Sequence, residues 1–577
     1  MPPRAAAAAA AAALLLRLAS SSSAAAPPCA SIPAGAPWTD CTLATQPSYG
    51  PLPATSASLA TTDAVAQALF SRAEACAAGN TLEMAPGFAV LVEGGGYSNV
   101  WLETQPMGGA MYGVRNLTLA VNNQLVFVRT QRADGRLPGM VTSAGGGGGV
   151  VHPTYSYPGN ANLSMLQGFY MASPAVEVAA LVNVSNAAAA AAFLAELRPA
   201  LEAFEAWLWA ERNSSDGVLW LSGTADTGED NSDKYAGATG PFESMDMMGY
   251  AHDAQRALAR IAAITGDGAA EARWAARMAA TAASLKARLW REELGAAFDR
   301  ERDGAQDFVT TLVHNNLRAM WSGAFDQGMA DAFVARHLMN SSEFWPNTPL
   351  PSIAVSDPRF RNTKGNNWSG PPEGLTFQRA IRALSSYGHH AELMLAGALQ
   401  SAALAKTLKF PQQIDPFSSQ PDSGDCYGPM LLSMLEFSAM TTGIAVRPGP
   451  SDVTLLWSAI APAPTTFSFV QTLGADRYEL AGFSNGTFVA TRNSVLVFSG
   501  AGRARVVTGL DGAVRGVVGA SNETETVDLS LPPSASSTAA ASPGAALRLV
   551  VAPNEEWAVG GAGPPVLTRK VPFIAPF

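Results

Sequence analysis

Between Leu219 and Tyr235 the chain reads Leu-Trp-Leu-Ser-Gly-Thr-Ala-Asp-Thr-Gly-Glu-Asp-Asn-Ser-Asp-Lys-Tyr. Four carboxylates, Asp226, Glu229, Asp230 and Asp233, are crowded between two aromatic rings, Trp220 and Tyr235. Cleavage of a glycosidic bond needs such a set. One acid protonates the leaving oxygen, a second activates water or attacks the anomeric carbon, and flat rings stack on the pyranose. The same residues would also serve as an acidic capping loop, since Asp and Ser are good helix N-caps.

The elements around this loop are helical. Residues 187–212 carry Leu194, Leu197, Leu201 and Phe204 on one face, the stripe of a core-packed helix. Helices are also predicted at 61–78, 116–129, 245–265, 269–289, 309–321, 329–339, 374–387, 392–408 and 430–442, and a strand at 88–92. Helix follows helix without alternating strands, and the connecting loops hold most of the Trp, Asn, Asp and Pro. That pattern predicts a ring of helical hairpins with its loops gathered at one end. At 447–450, Arg-Pro-Gly-Pro, the composition changes. Short β-branched runs then follow at 453–457, 466–472, 477–483, 487–491, 495–499, 504–508, 514–518 and 547–551, interrupted by a low-complexity loop at 532–543. The expected fold is mainly α, with a smaller C-terminal all-β, sandwich-like domain. The boundaries are 1–26 for a signal peptide, 27–60 for an extended lead-in, 61–446 for the helical domain and 447–577 for the β-domain.

The length of 577 residues suits two or three domains. Hydrophobic residues at 48% and charged residues at 15% describe a core-forming chain. The net charge of −10 and the absence of a Lys/Arg stripe argue against nucleic acid as a partner. Arg4, the apolar run 5–16 and the small residues 20–26 read as a secretory leader, with an organellar transit peptide as the rival. Sequons at Asn116, Asn162, Asn183, Asn213, Asn340, Asn367, Asn485 and Asn522 favour secretion into the extracellular space or a lumen. No later run of about 20 apolar residues is present to span a membrane. An oxidising compartment permits Cys29–Cys41 and Cys76–Cys426 bridges, although the sequence leaves the pairing open. No cysteine or histidine spacing matches a zinc site, so neither metal nor cofactor is expected. The glycine-rich 94–101 lacks the Gly-Lys-Ser/Thr ending of a phosphate loop and reads as a plain turn.

Several segments together resemble the six-hairpin glycosidases, and most closely glycoside hydrolase family 63 and its mannosylglycerate-hydrolase-like relatives, with trehalases more distant. The segments, in order, are Gln131-x-x-Asp-Gly-Arg-Leu-Pro138, Gly228-Glu-Asp-Asn-Ser232, Leu289-Trp-x-x-Glu-x-Gly-x-x-Phe-Asp299 and Leu350-Pro-Ser-Ile-Ala354. After these come Asn366-Asn-Trp-Ser-Gly-Pro371, Tyr387-Gly-His389 and Gln413-Ile-Asp-Pro-Phe417. The resemblance covers roughly residues 95–445. It implies an (α/α)6 toroid and an inverting mechanism, in which acid and base stand ~6.5–9.5 Å apart with a water between them.

The resemblance makes Asp230 the general acid. Its partner departs from the pattern: where the family carries a Glu before Asn-Tyr-Asp/Asn-Pro, this chain has Gln412. An amide cannot take a proton from water, so another carboxylate must. Glu373 and Asp425 rank level as that base, with Asp415 and Asp422 in the same loop as Asp425. Trp101, Glu103, Arg136, Trp345 and Trp368 lie on loops where the resemblance puts sugar contacts, and Trp220, Tyr235, Gln412 and Asp415 complete the expected substrate-binding set. His389, His390 and Asp246 read as structural, and Asn367 as either glycosylated or buried. The expected activity is hydrolysis of an α-glucosidic or α-mannosidic bond in a carbohydrate substrate. The rivals are a carbohydrate-binding relative that has lost its base, and a secreted structural protein.

Overall fold

The computed structural model describes residues 26–45, 49–144, 146–238, 240–302, 307–449, 452–532, 546–559 and 564–577. The predicted leader, apart from its last residue, and nearly all of the low-complexity loop lie outside these. Among the described residues there are twelve α-helices: α1 Ala64–Gly79, α2 Gln105–Tyr112, α3 Leu117–Val128, α4 Ala172–Asn183, α5 Ala187–Glu211, α6 Met245–Ile264, α7 Gly268–Arg288, α8 Asn315–Ser322, α9 Gln327–Phe333, α10 Gly374–Ser386, α11 His390–Leu404 and α12 Gly428–Thr442. None is long and apolar enough to cross a membrane.

The even-numbered helices pack on one another in sequence, α2 on α4, then α6, α8, α10 and α12, and α12 returns to α2. The odd-numbered ones lie outside, α3 on α2, α5 on α4, α7 on α6, α11 on α10, and α1 on α12. Burial agrees: every residue of α8 is buried, as are nearly all of α12. The two sets also start differently. Asp63, Asn116, Asn186, Asp267 and Asp326 cap five outer helices with side-chain bonds to N–H groups of the first turn. Of the inner helices only α6 has such a cap, Ser244; the others begin at Thr104, Met171, His314, Glu373 and Tyr427 without one. Free first-turn N–H groups make a helix start attractive to anions and polar ligands.

Two antiparallel sheets form the C-terminal part. One has seven strands in the order Thr55–Thr61, Phe467–Leu473, Asp476–Gly482, Thr487–Arg492, Val495–Ala501, Glu525–Ser530 and Ala546–Val551. The other has six: Gly443–Pro448, Val453–Ala459, Ala504–Gly509, Val514–Val518, Glu555–Ala558 and Val566–Lys570. Alternation puts Phe467, Phe469 and Leu473 inward, and Trp457 of one sheet meets Tyr478 and Phe498 of the other edge to face. Within the expected lead-in, Thr55–Thr61 is a full strand paired from Thr55↔Leu473 to Thr61↔Phe467. Disulfides join Cys29 to Cys41 and Cys76 to Cys426.

Three local expectations are corrected. Helices α2 and α4 stand where none was predicted, α8 begins at Asn315 rather than 309, and the stretch 329–339 divides into α9 and a π-helical turn, Val334–Leu338.

Candidate active site

The acid loop joins α5 to α6, and its ends are closed by the short antiparallel pairing of Trp220–Leu221 with Phe242–Glu243. Within it Glu229 points inward and Asp230 outward. Glu229 is buried in an ion cluster. It receives hydrogen bonds from Arg318 Nη2 at 2.8 Å, Asn315 Nδ2 at 3.1 Å and His314 Nε2 at 2.5 Å, and Lys234 Nζ lies at 3.0 Å. Burial alone would raise its pKa, but Arg318, Lys234 and His314 outweigh that and hold the carboxyl well below its ordinary range. Burial and Arg318 keep His314 neutral, lowering its pKa to about 4 against the pull of Glu229. Its Nε2–H therefore serves Glu229 while Nδ1 accepts from Thr376 Oγ1 of α10 at 3.0 Å. Asp246 joins the same cluster through Asn315 Nδ2 at 2.6 Å. Asp226, equally buried, is held ionised despite burial by Arg212 and by Ser222 N and Oγ, and it accepts from Leu166 N. Both acids are anchors that fix the loop.

Asp230 follows on a rigid base. Solvent reaches it, yet protein encloses its carboxyl enough for desolvation to raise its pKa, against the Asn366 amide and the N–H groups of Asp230 and Asn231. Its negative charge raises the pKa values of Glu93, Glu103, Glu373, Tyr97 and Tyr157, so these groups stand close enough to Asp230 to feel its field. Glu373, at the start of α10, is 0% exposed, and neither carboxylate oxygen has a hydrogen-bond partner. Burial first, then repulsion from Glu103, Asp230 and Glu93, pushes its pKa well up. Glu103, beside α2, is pushed up to about 8, chiefly by burial, against Arg379, whose Nη2 lies 3.6 Å away. Gln167 Nε2 donates to its Oε1 at 3.2 Å, and its Oε2 has no hydrogen bond. Glu93 accepts from Tyr427 Oη at 3.0 Å.

Glu103 also explains Gly228. This residue has φ +78°, and a Cβ built there would overlap Glu103 Oε2. Only glycine lets the acid loop close over that carboxylate.

Gln412 is tied to the same group. Its Oε1 accepts from Tyr97 Oη at 3.1 Å, and its Nε2 donates to Asn366 Oδ1 at 3.1 Å. Asn366 Nδ2 lies 3.5 Å from Asp230 Oδ1. One amide therefore spans the gap between Asp230 and Gln412. The backbone carbonyl of Gln412 accepts from Gly374 N at 2.9 Å, which ties its loop to the start of α10.

Both oxygens of Glu373 lack a hydrogen bond, and Glu103 Oε2 and the Arg379 guanidinium meet only as an ion pair at 3.6 Å. Buried polar groups are nearly always hydrogen-bonded.

The other expected site residues are held elsewhere. Asp425 accepts from Arg72 Nη2 at 2.5 Å and from Phe410 N and Cys426 N; these outweigh burial, lower its pKa and make it a brace for the disulfide loop. Asp415 caps its own turn through Phe417 N and Ser418 N and takes Asn362 Nδ2, so its pKa too is lowered despite burial. Arg136 is buried against the Trp207 ring and donates to Tyr155 O and Ser164 Oγ. Trp220 carries the guanidinium groups of Arg212 and Arg302 over its ring. Tyr235 stacks on Phe242 at 3.9 Å and donates to Asp299. Trp368 is buried and stacks on His314 at 5.7 Å. Trp345 lies beside Leu399 of the outer helix α11 and Phe417. Asn367 is buried, its amide donating to Arg361 O and Thr363. Of the predicted set, the structure brings together Asp230, Glu373, Glu103 and Gln412. Sequence reading missed Glu93, Tyr97, His314 and Arg379, which stand singly in apolar or glycine-rich contexts without a motif of their own.

The mannosylglycerate hydrolase MGH1-like glycoside hydrolase domain matches residues 108–428. A family 63 mannosylglycerate hydrolase from Thermus thermophilus, solved with glucose, superposes with a TM-score of 0.52 at 17% identity, over 64% of this chain and 99% of that one. The same enzyme with Tris and D-glycerate gives 0.52 at 18%, over the same shares. A sialidase structure gives 0.58 at 13%, over 78% of this chain and 41% of that one. No curated protein sequence matches. At such identities the structures speak for the fold. The family match spans more than half of the chain and contains Asp230, Glu373 and Gln412, so the chain belongs to the MGH1-like glycoside hydrolases.

Proposed function

We propose that this protein hydrolyses an α-linked glucoside or mannoside with inversion, Asp230 giving a proton to the leaving oxygen and Glu373 taking one from water. The observation that carries this reading is the proximity of Asp230 to Glu373, a buried carboxyl with no hydrogen bond on either oxygen. The closed order of helix contacts is read as an (α/α)6 toroid, whose inner helix starts supply Glu373, Glu103 and Tyr427. Four mutually repelling carboxyls cannot all ionise together, so the pocket keeps a proton near neutral pH, as an acid catalyst requires. With Asp230 protonated, one repulsion on Glu373 is gone, and a water donating to its free oxygens favours the charged form. Complete burial of Glu373 favours a second reading, in which the roles are exchanged and Glu373 keeps the proton. The leader, the sequons and two disulfides support action in the secretory pathway or outside the cell.

Wild type, D230N and E373Q should be assayed on natural α-glycosides and on a dinitrophenyl glycoside, whose leaving group needs no proton. Each variant should lose about 10²–10⁴-fold on natural substrates. D230N should recover on the activated substrate and E373Q should not; the reverse pattern assigns the exchanged roles. Product of the retained anomeric form by NMR would sink the inverting mechanism, and sugar binding without turnover would mark a non-hydrolytic relative.

A further inference from the structure

We infer that Gln412 is a positioning residue that fixes which oxygen of Asp230 carries the catalytic proton, acting through Asn366. This rests on the reading of Asp230 as the acid. The bonds run in one direction: Tyr97 Oη to Gln412 Oε1 at 3.1 Å, Gln412 Nε2 to Asn366 Oδ1 at 3.1 Å, and Asn366 Nδ2 to Asp230 Oδ1 at 3.5 Å. Gln412 Oε1 faces the phenol and its amide nitrogen faces Asn366. Asn366 then presents its own carbonyl to Gln412 and its NH2 to Asp230. An NH2 facing Oδ1 leaves that oxygen an acceptor, and the proton of the acid sits on Oδ2. The backbone of Gln412 holds the start of α10, so the same residue also fixes the side of the pocket that carries Glu373.

A carboxylate at position 412 would accept from both neighbours. Asn366 would turn its NH2 to it and its carbonyl to Asp230, and Oδ1 would then hold the proton against Asn366, pointed away from the leaving oxygen. Position 412 therefore works in this pocket as an amide. The groups that share the field of Asp230 are Glu93, Tyr97, Glu103, Tyr157 and Glu373; Q412E adds its own charge to that field, whereas Q412M removes the relay without adding charge.

The test compares wild type, Q412E and Q412M. Q412E should lower kcat about 100-fold, with KM within about threefold, and move the basic limb of the kcat pH profile to higher pH, because Asn366 now stabilises the protonated acid. Q412M, which keeps the volume and removes the polarity, should lower kcat about tenfold, less than Q412E. A tenfold or greater rise in kcat for Q412E would overturn the inference, showing a base position that wants its carboxylate back; so would an unmoved profile. D230N separates the two claims, since an unaffected D230N removes the acid itself, whatever Q412E does. A 13C-carboxyl titration of Asp230 in wild type and Q412E reads the same network without turnover. Asp230 should titrate higher in Q412E, and an equal or lower value overturns the proposal.

Discussion

At the scale of single residues the pocket is organised by how each carboxyl is partnered. Asp226, Glu229, Asp415 and Asp425 are surrounded by cations or N–H donors and stay ionised, while Glu93, Glu103, Glu373 and Asp230 lack enough donors and are pushed up. Acids of the first kind hold loops; among acids of the second kind, which one keeps a proton depends on which neighbours are charged. Glu103 gives a test that needs no substrate. Its folded-state pKa of about 8 lies above the ordinary glutamate value of 4.5, so the native state binds its proton more tightly than the unfolded chain. Its contribution to stability is therefore full below about pH 4.5 and lost as pH rises through about 8. E103Q removes that loss. The drop in melting temperature between pH 5 and pH 8.5 should be smaller in E103Q than in wild type, and an identical drop would refute the assignment.

At the scale of elements, the acid loop is held shut from below by the Glu229 cluster and from the side by the contact of Gly228 with Glu103. A methyl group at Gly228 meets Glu103 Oε2 and imposes a left-handed backbone on a residue that disfavours it. Gly228→Ala should destabilise the protein by about 1–3 kcal/mol in urea unfolding and lower kcat at least tenfold, since Asp230 is two residues away. Wild-type kcat in this variant would show that the loop tolerates opening. The elements also explain what was legible. Outer helices α1, α3, α5 and α7 carry Asp or Asn caps, and the helices predicted there end within a few residues of the observed ones. Helices α2 and α4 were missed, and α8 was started too early. These inner helices begin at Thr104, Met171 and His314, where no side chain caps the first turn. A missing cap is not the whole reason, since α10 and α12 start equally uncapped and were legible from their apolar spacing.

At the scale of the whole molecule, the helical and β parts are joined by the chain itself and by polar contacts. The strand Thr55–Thr61 precedes α1 yet pairs with Phe467–Leu473. Asn554, buried at φ +63°, accepts from Ala391 N and donates to Glu392 Oε2, both in the first turn of α11, and Glu392 Oε1 accepts from Ile574 N. Asn554→Ala leaves a buried N–H and a buried carboxylate short of partners, at a cost of about 1–3 kcal/mol. The melting temperature should fall while kcat and KM at 25 °C stay at wild-type values. A matching loss of kcat would instead tie the β part to catalysis.

The ordered motifs determined the family by themselves, because motif order survives where identity with solved relatives is 17%. Strands such as Phe467–Leu473 were readable because alternation reports burial on one face directly, whereas Thr55–Thr61, Gly443–Pro448, Glu525–Ser530, Glu555–Ala558 and Val566–Lys570 were not. The single residue Asp230 could be named because its loop is a local motif. Its surroundings could not be read in the same way. Tyr97 and Glu103 lie far along the chain from Glu373 and Gln412, and tertiary contacts such as Tyr97 Oη to Gln412 Oε1 bring these loops together. Whether a carboxyl there is a brace or a proton carrier depends on whether a donor such as Arg72, Arg318 or Asn366 arrives from elsewhere in the chain. Desolvation and charge partners are properties of three-dimensional neighbours, so only the tertiary structure shows Asp425 tied to Arg72 and Glu373 buried without a hydrogen bond.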